Sequence, residues 1–361
     1  MWRDGFGEKT LSESVPEKAA ASETIQALGE FGLIARLTRG MRTRPDVLAG
    51  VGDDCAVLAL GDDQALLATC DALVDSSQFL QRVATPAQIG RRVMAVNLSD
   101  IASMGGSPRY ALVSLLLPAD LPVAFLDGLY LGLRAEAWLY GAVIVGGNIV
   151  GSPTFGVDIT LLGQARRDQI ILRSGARPGD SLLVTGALGE AAAGLHLLLH
   201  PELAAPEAIA GRLKAAQLTP VPRVPEGRVL ARLGVATAML DISDGLAADL
   251  GHLCEQSHVG ARLDEVALPI AEDMRQMALR AGQSALEWAL YGGEDYQLLF
   301  TAPPAAVPRI TDTLWIATGT TVTVIGEMLA PEAGLTLQAQ DGSIRPLAPR
   351  GWDHLRSASP A

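Results

Sequence analysis

Lysine is almost missing from this chain: only Lys9, Lys18 and Lys214 occur, and the remaining basic charge is arginine. No G-x-x-x-x-G-K-[ST] run is present, which excludes an ordinary P-loop, and Lys214 stands in no context that suits a Schiff base or a protein-kinase lysine. Cysteine is nearly as scarce. Cys55, Cys70 and Cys254 are odd in number, far apart and without C-x-x-C spacing, so they read as reduced thiols of a cytoplasmic protein and not as a disulfide frame or zinc knuckle. Neither G-x-S-x-G nor H-E-x-x-H occurs, so a hydrolase elbow and a zincin get no support. His196 and His200 share a helix face, but with only Glu202 nearby as a third ligand they read as a solvated surface. The N-terminus has no apolar core of the signal-peptide kind. The longest uncharged stretch, 137–157, carries five glycines, Asn148 and Pro153, and reads as helix end, strand, loop and strand instead of a membrane span. A net charge of −12 argues against nucleic acid or an anionic membrane as partner.

What is present is a globular balance: 361 residues, 49% hydrophobic and 19% charged, enough for about two domains. The pattern predicts a tail over 1–27, an N-terminal domain over 28–164 and a C-terminal domain over 165–361. Strands are expected at 56–60, 65–70, 110–117, 143–145 and 157–162, with helices at 86–104, broken near Leu98, and 122–140. A charged, turn-rich passage over 163–179 marks the boundary. Strands at 182–185, 237–240, 296–301 and 322–325 follow, with helices at 190–199 and 246–257 and a polar Pro/Ala stretch running to Pro225. The class is α/β of the α+β type in two halves.

Acidic residues cluster beside glycine near strand ends. Asp53 and Asp54 precede a strand, Asp71 and Asp75 follow one, Asp100 opens a helix segment, Asp241 ends a strand, Asp244 opens a helix, and Glu294-Asp295 precede a strand. In α/β folds ligands gather at such places, and carboxylate oxygens suit magnesium, which also keeps waters and substrate phosphates. Each residue alone also fits a cap or turn. Several in one cleft could not all ionise without cations. Gly146-Gly147-Asn148 after a strand fits a tight turn, or a close approach to phosphate.

The runs GEFGLIARL (29–37), VGDDCAVL (51–58), AVNLSDIASMGGSP (95–108), RSGARPGD (173–180) with LLVTGALGEAAAGL (182–195), LDISDGLAADLGH (240–252) and YGGEDYQLLFT (291–301) occur in one order and spacing. Together they resemble the thiamine-monophosphate kinases of the aminoimidazole ribonucleotide synthetase-like superfamily, over nearly everything from Gly29 to Trp352. The resemblance implies the two-domain fold of that superfamily, an N-terminal sheet pairing across a homodimer, and ATP-dependent phosphorylation of thiamine monophosphate to thiamine diphosphate. It implies several magnesium ions, held by Asp54, Thr69, Cys70, Asp71, Asp100, Asn148, Asp241 and Asp244. ATP would meet Tyr130, Gly147, Asn148, Arg173 and Ser243, and the substrate Gln78, Glu294 and Trp352. The family typically has Thr-Asp where this chain has Cys70-Asp71, often His at Gln78, and usually Gly-Gly-Asp-Thr where this chain has Gly147-Asn148-Ile149. Such departures also suit a non-catalytic relative that binds nucleotide or thiamine phosphate, and other ATP-using members of the superfamily form a further alternative. A selenophosphate synthetase would want a reactive cysteine before Cys55, and a hydrogenase-maturation relative a C-terminal cysteine; neither occurs. Because a phosphate acceptor is already largely dianionic at neutral pH, no dedicated general base is expected.

Overall fold

The computed structural model describes residues 24–75, 79 and 81–351. Helix α1 (Ile25–Leu37) starts ahead of Gly29, capped by Thr24, and kinks at Gly29, whose φ of 69° a residue with a side chain would resist. It belongs to one unit, and Arg42–Trp352 form another.

In that second unit the first half builds one sheet from β1 (Val47–Ala49), β2 (Ala56–Leu60), β3 (Gln64–Val74), β4 (Ser107–Leu117), β5 (Val143–Gly151) and β6 (Gly156–Arg166), in the order β1-β2-β3-β6-β4-β5. Only β4 and β5 run parallel, and α3 (Val123–Leu139) makes that crossover, as a parallel pair requires. Along β3, Ala65, Leu67, Thr69 and Leu73 are buried while their alternates are not, so period two separates a packed face from an open one. Helix α2 (Pro86–Ser103) covers the packed face. Thr85 and Gln88 form a capping box at its start, with Pro86 in the first turn. Gly90 and Gly132 let α2 and α3 touch backbone to backbone: a Cβ at Gly132 would lie 2.0 Å from the Ala87 carbonyl oxygen.

Sequence order then gives β7 (Ser181–Thr185), α4 (Glu190–Leu199), α5 (Glu207–Leu218), α6 (Val224–Leu233), β8 (Ala238–Asp241), α7 (Leu246–Ser257), β9 (Gly260–Asp264), α8 (Glu272–Arg280), α9 (Ala285–Tyr291), β10 (Leu298–Ala302), α10 (Val307–Thr318), β11 (Val322–Leu329), β12 (Leu335–Gln338) and β13 (Ile344–Pro346). The second sheet is β13-β12-β9-β11-β7-β10-β8. Its central strands are buried on both faces. Leu183, Met239, Leu298 and Phe300 join the core of the first half, while Leu182, Val184, Leu240 and Leu299 join a second core under α4 and α7. That double burial explains continuous apolar runs where a one-sided strand would alternate. Both sheets are mainly antiparallel with helices packed on them, the α+β form of the expected class.

Several local expectations need correction. Helix α2 runs unbroken past Leu98, because Asn97, Ser99 and Asp100 hydrogen-bond other elements and do not end the helix. Asp100 therefore lies inside a helix, and Asp71 inside β3. Gly146-Gly147-Asn148 is no turn: the three continue β5, with a bulge where the register with β4 shifts between Ala111 and Leu112. The stretch before Pro225 holds α5 and most of its approach to α6. Among the described residues, no helix is long and apolar enough to cross a membrane.

Candidate active site

The bend before β2, strand β3, helix α2 and the end of β8 meet at one place. There Asp54, Asp100 and Asp241 each offer a carboxylate oxygen, all within 4.8 Å of one another. Each is held by a neighbour from another element. Thr69 Oγ1 donates to Asp100 Oδ2. Ser99 Oγ donates to Asp241 Oδ2. Arg173 Nε donates to Asp54 Oδ1 at 2.9 Å, and its backbone N–H reaches Asp53 at 3.3 Å. The Asn97 side-chain oxygen accepts the N–H of Asp71 at 3.2 Å, tying β3 to α2.

The electrostatics follow from burial. Asp100 is driven well above the carboxylate range, first by burial and then by Asp71, Asp241 and Asp54. Asp241 is pushed up to about 7 by burial and Asp54, against Ser99 and Arg173. Asp53 rises to about 6 by burial and Asp54. Burial works against the charge of Arg173, but Asp54 outweighs it and the pKa of the guanidinium is raised. Among the described residues Asp54 Oδ2 is buried without a hydrogen-bond partner. A buried, unpartnered carboxylate oxygen beside two other carboxylates is what a hard divalent cation satisfies, so the donor set fits magnesium.

Asp71 is felt by both Asp100 and Asp241 but stands outside the tight trio. Asp244 sits on the bend after β8, where Asp249 Oδ2 accepts the N–H groups of Asp244 and Gly245 at 3.1 and 3.0 Å. Burial, then Asp244 and Asp241, raises Asp249 well above its ordinary range. Ser243 belongs to the same bend, and its carbonyl accepts the Glu294 N–H at 2.7 Å. Glu294 and Tyr296 hold left-handed φ of 59° and 47°, a strain that residues with side chains keep only where surroundings fix it. Glu294 pairs with Arg92 and accepts from Gln217 Nε2 at 2.8 Å. Arg92, Gln217 and Asp249 are site residues that the sequence pattern does not point to. Arg92 has one signal: of the Arg91-Arg92 pair it is the one beside the apolar residues Val93 and Met94 of α2, and it is buried. Asp249 lies within the run 240–252 but is not singled out there, and Gln217 has no signal.

Its neighbour Asp295 does structural work: it accepts the N–H groups of Gly189 and Ala191 at 2.7 and 3.3 Å, at the start of α4. Burial pushes it up to about 7. Native Asp295 thus keeps a proton that the unfolded chain loses near 4. Its contribution to stability is complete below that pH and is lost as pH rises towards 7. Asp295→Asn should flatten the fall in melting temperature between pH 4 and 7, measured calorimetrically; a slope equal to the parent's would contradict this protonation.

Other expected residues lie elsewhere. Cys70 points to the open face of the first sheet, where its Sγ meets Asp158 at 3.4 Å, so its thiol does not join the carboxylates. Asn148 pairs in register with Ser114, and Ser114 with Asp158, which puts Asn148 on that same open face. It is on the exposed edge strand, three strand spacings or about 14 Å from β3. Gly147 is there too, its Cα against β4: a Cβ would lie 1.8 Å from the Val113 oxygen. Tyr130 packs from α3 against the first core. Gln78 and Trp352 lie outside the described residues. His196 and His200 stack at 4.4 Å, and His200 pairs with Glu202 at 3.1 Å.

Comparison with known proteins agrees with this architecture. The family described as AIR synthase related protein, N-terminal domain, matches residues 52–165, and its C-terminal domain matches 177–337. The thiamine-monophosphate kinase of Salmonella typhimurium is 39% identical over 332 residues, covering 91% of this chain and 98% of the relative. That of Aquifex aeolicus is 35% identical over 331 residues, covering 91% and 99%. A solved structure of AaThiL complexed with AMPPCP and TMP superposes with a TM-score of 0.80 at 34% identity, covering 93% of this chain and all 100% of that one. With this identity across nearly its whole length, the chain belongs to the thiamine-monophosphate kinase family, within the AIR synthase related proteins.

Proposed function

We propose that this chain transfers the terminal phosphoryl group of ATP to the phosphate of thiamine monophosphate, giving ADP and thiamine diphosphate. The observation that carries the reading is the convergence of Asp54, Asp100 and Asp241, with one buried oxygen of Asp54 left without a hydrogen bond. Cys70 and Asn148, two of the three departures from the family pattern, sit on the other face of the sheet, so the carboxylate set itself is intact, which favours the catalytic reading over a non-catalytic relative.

Phosphoryl transfer needs positioning and charge neutralisation more than proton removal. The acceptor phosphate, with a second pKa near 6, is largely dianionic at neutral pH, so no side chain has to act as base. Magnesium, when bound, would offset the repulsion between two polyanions. Asp54, Asp100 and Asp241 would hold it, and Asp71 and Asp244 are the further candidates. Thr69 and Ser99 fix the carboxylate rotamers, and Arg173 adds a fixed positive charge beside Asp54. Glu294, anchored by Arg92 and Gln217, keeps free lone pairs for the aminopyrimidine or the cationic thiazolium.

The test is direct. Purified protein with ATP, magnesium and thiamine monophosphate should yield thiamine diphosphate and ADP in equal amounts, with thiamine and aminoimidazole precursors inert alongside. Folded protein giving no thiamine diphosphate above a no-enzyme control would refute the reading.

We also infer a homodimer of cytoplasmic protein. The open face of the first sheet exposes Tyr110, Leu112 and Leu116 on β4, and edge strand β5 exposes Val145, Ile149 and Val150. An apolar face beside an unpaired edge is a surface that proteins cover. A second copy covering it would also bring Asn148 towards a site that a single chain cannot complete. The free thiols Cys55, Cys70 and Cys254 suit a reducing compartment.

A further inference from the structure

Positive charge also gathers in this acidic chain, and it does so away from the carboxylates. Arg109, Arg166, Arg228 and Arg232 line a cavity of about 390 Å³. They come from three elements: the bulge of β4, where the register shifts between Pro108 and Tyr110, the last residue of β6, and one face of α6. Arg228 and Arg232 are one helical turn apart, a spacing at which like charges repel. Arg166 has a partner in Asp168 at 2.9 Å, but that pair is solvent-exposed and so contributes little. No ion pair of Arg109, Arg228 or Arg232 is present among the described residues, although the chain carries 40 acidic residues against 28 basic ones.

The arginines are mounted on closely packed backbone. Gly105, with φ of 72°, presses on α6, where a Cβ would lie 2.6 Å from the Ala231 Cβ. Gly227 seats α6 on α2, its own Cβ position 2.0 Å from the Ala102 carbonyl oxygen. Gln64 and Gln164, hydrogen-bonded at 3.2 Å, form a neutral polar wall. Gln64 precedes Thr69 by five residues on β3, about 16 Å along the strand.

We propose that this pocket is an anion site for a small-molecule diphosphate or triphosphate, separate from the acidic cluster. Guanidinium groups pair with phosphate oxygens in a fork geometry, and several converging from different elements suit an oligophosphate better than a single phosphate. The volume leaves room beyond the phosphates, and the glutamines offer hydrogen bonds to an attached organic group. The assignment stands whether or not the chain phosphorylates thiamine monophosphate.

The experiment is calorimetric titration of the full chain with inorganic pyrophosphate in EDTA at low salt. Without divalent cations the acidic cluster repels phosphate, so binding reports the arginines. Saturable binding is expected, equal in Asp241→Asn, and weakened about tenfold or more in Arg228→Gln/Arg232→Gln. Both arginines are exposed, so the double variant should melt like the parent. Arg109→Gln, on another element, should weaken binding in the same direction. Titrations with ADP and with thiamine diphosphate then separate the sources: the tightest of the three identifies the group the glutamines meet, and pyrophosphate tightest identifies an inorganic ligand. No saturable pyrophosphate binding, or a double variant that binds like the parent, would overturn the assignment.

Discussion

Asp241→Asn should lose about a thousandfold or more of the turnover and yet give a metal-free protein more resistant to heat than the parent. The two effects have one cause. Three carboxylates whose oxygens lie within 4.8 Å are assembled at the cost of mutual repulsion. At an effective dielectric of ~20 each ionised pair costs about 3 kcal/mol, part of which protonation relieves. Burial and Asp54 lift Asp241 to about 7, so it is largely ionised at pH 8 and removing its charge relieves the site there. Asparagine keeps the shape and still offers an oxygen to Ser99; the lost attraction to Arg173 is outweighed by burial and the repulsion of Asp54. A gain of about 1–2 kcal/mol in EDTA at pH 8 is expected, read as a higher melting temperature. Turnover depends on the same charge to hold a cation against the nucleotide, and about 4 kcal/mol of lost transition-state stabilisation corresponds to the thousandfold. The checks are initial rates of thiamine diphosphate formation and calorimetry of the metal-free protein. A variant retaining a tenth of the rate would remove Asp241 from the charge-bearing role, and one less stable than the parent would contradict the account of repulsion.

The carboxylates of this site are legible in sequence because Asp54 follows another acid, Asp100 follows a serine and Asp241 ends an apolar run two residues before Ser243-Asp244. Their convergence is not legible: five of the six strands of the first sheet lie between Asp54 and Asp241 in sequence, and only the second sheet's packing onto the first core brings β8 to α2. Ser99-Asp100 departs from its sequence pattern for a physical reason. Ser-Asp before an apolar run is the pattern of a helix start, but here the side chains bond to β3 and β8, leaving the α2 backbone free to continue. The face assignments of Cys70 and Asn148 required pairing registers, because the bulge in β5 shifts alternation by one residue. Strands β12 and β13 are only four and three residues long, and α9 only seven, too short for a periodic apolar pattern to mark them in the sequence. Arg92 and Gln217 are meaningful only through Glu294, 202 and 77 residues away.

Mixing two crippled proteins should restore activity that neither has alone. Asp54, Asp100 and Asp241 belong to one side of the first sheet, while Asn148 occupies the far strand and the open face. If an active site draws its carboxylates from one protomer and Asn148 from the other, Asp241→Asn and Asn148→Ala injure different contributions to it. In a heterodimer of the two, one site carries both lesions and the other carries neither. Random exchange of equal amounts makes half the dimers mixed, and each mixed dimer has one intact site of two, so the rate should recover to about a quarter of the parent's. Rates measured after co-refolding or co-expression, with mixed dimers isolated by two different tags, supply the test. Leu112→Glu, which places a charge on the apolar open face, should give monomers by light scattering and abolish the recovery. A mixture no more active than the Asp241→Asn and Asn148→Ala proteins measured separately, despite isolated mixed dimers, would mean that each chain completes its own site. A different path from β5 to the carboxylates would then have to be found within one protomer.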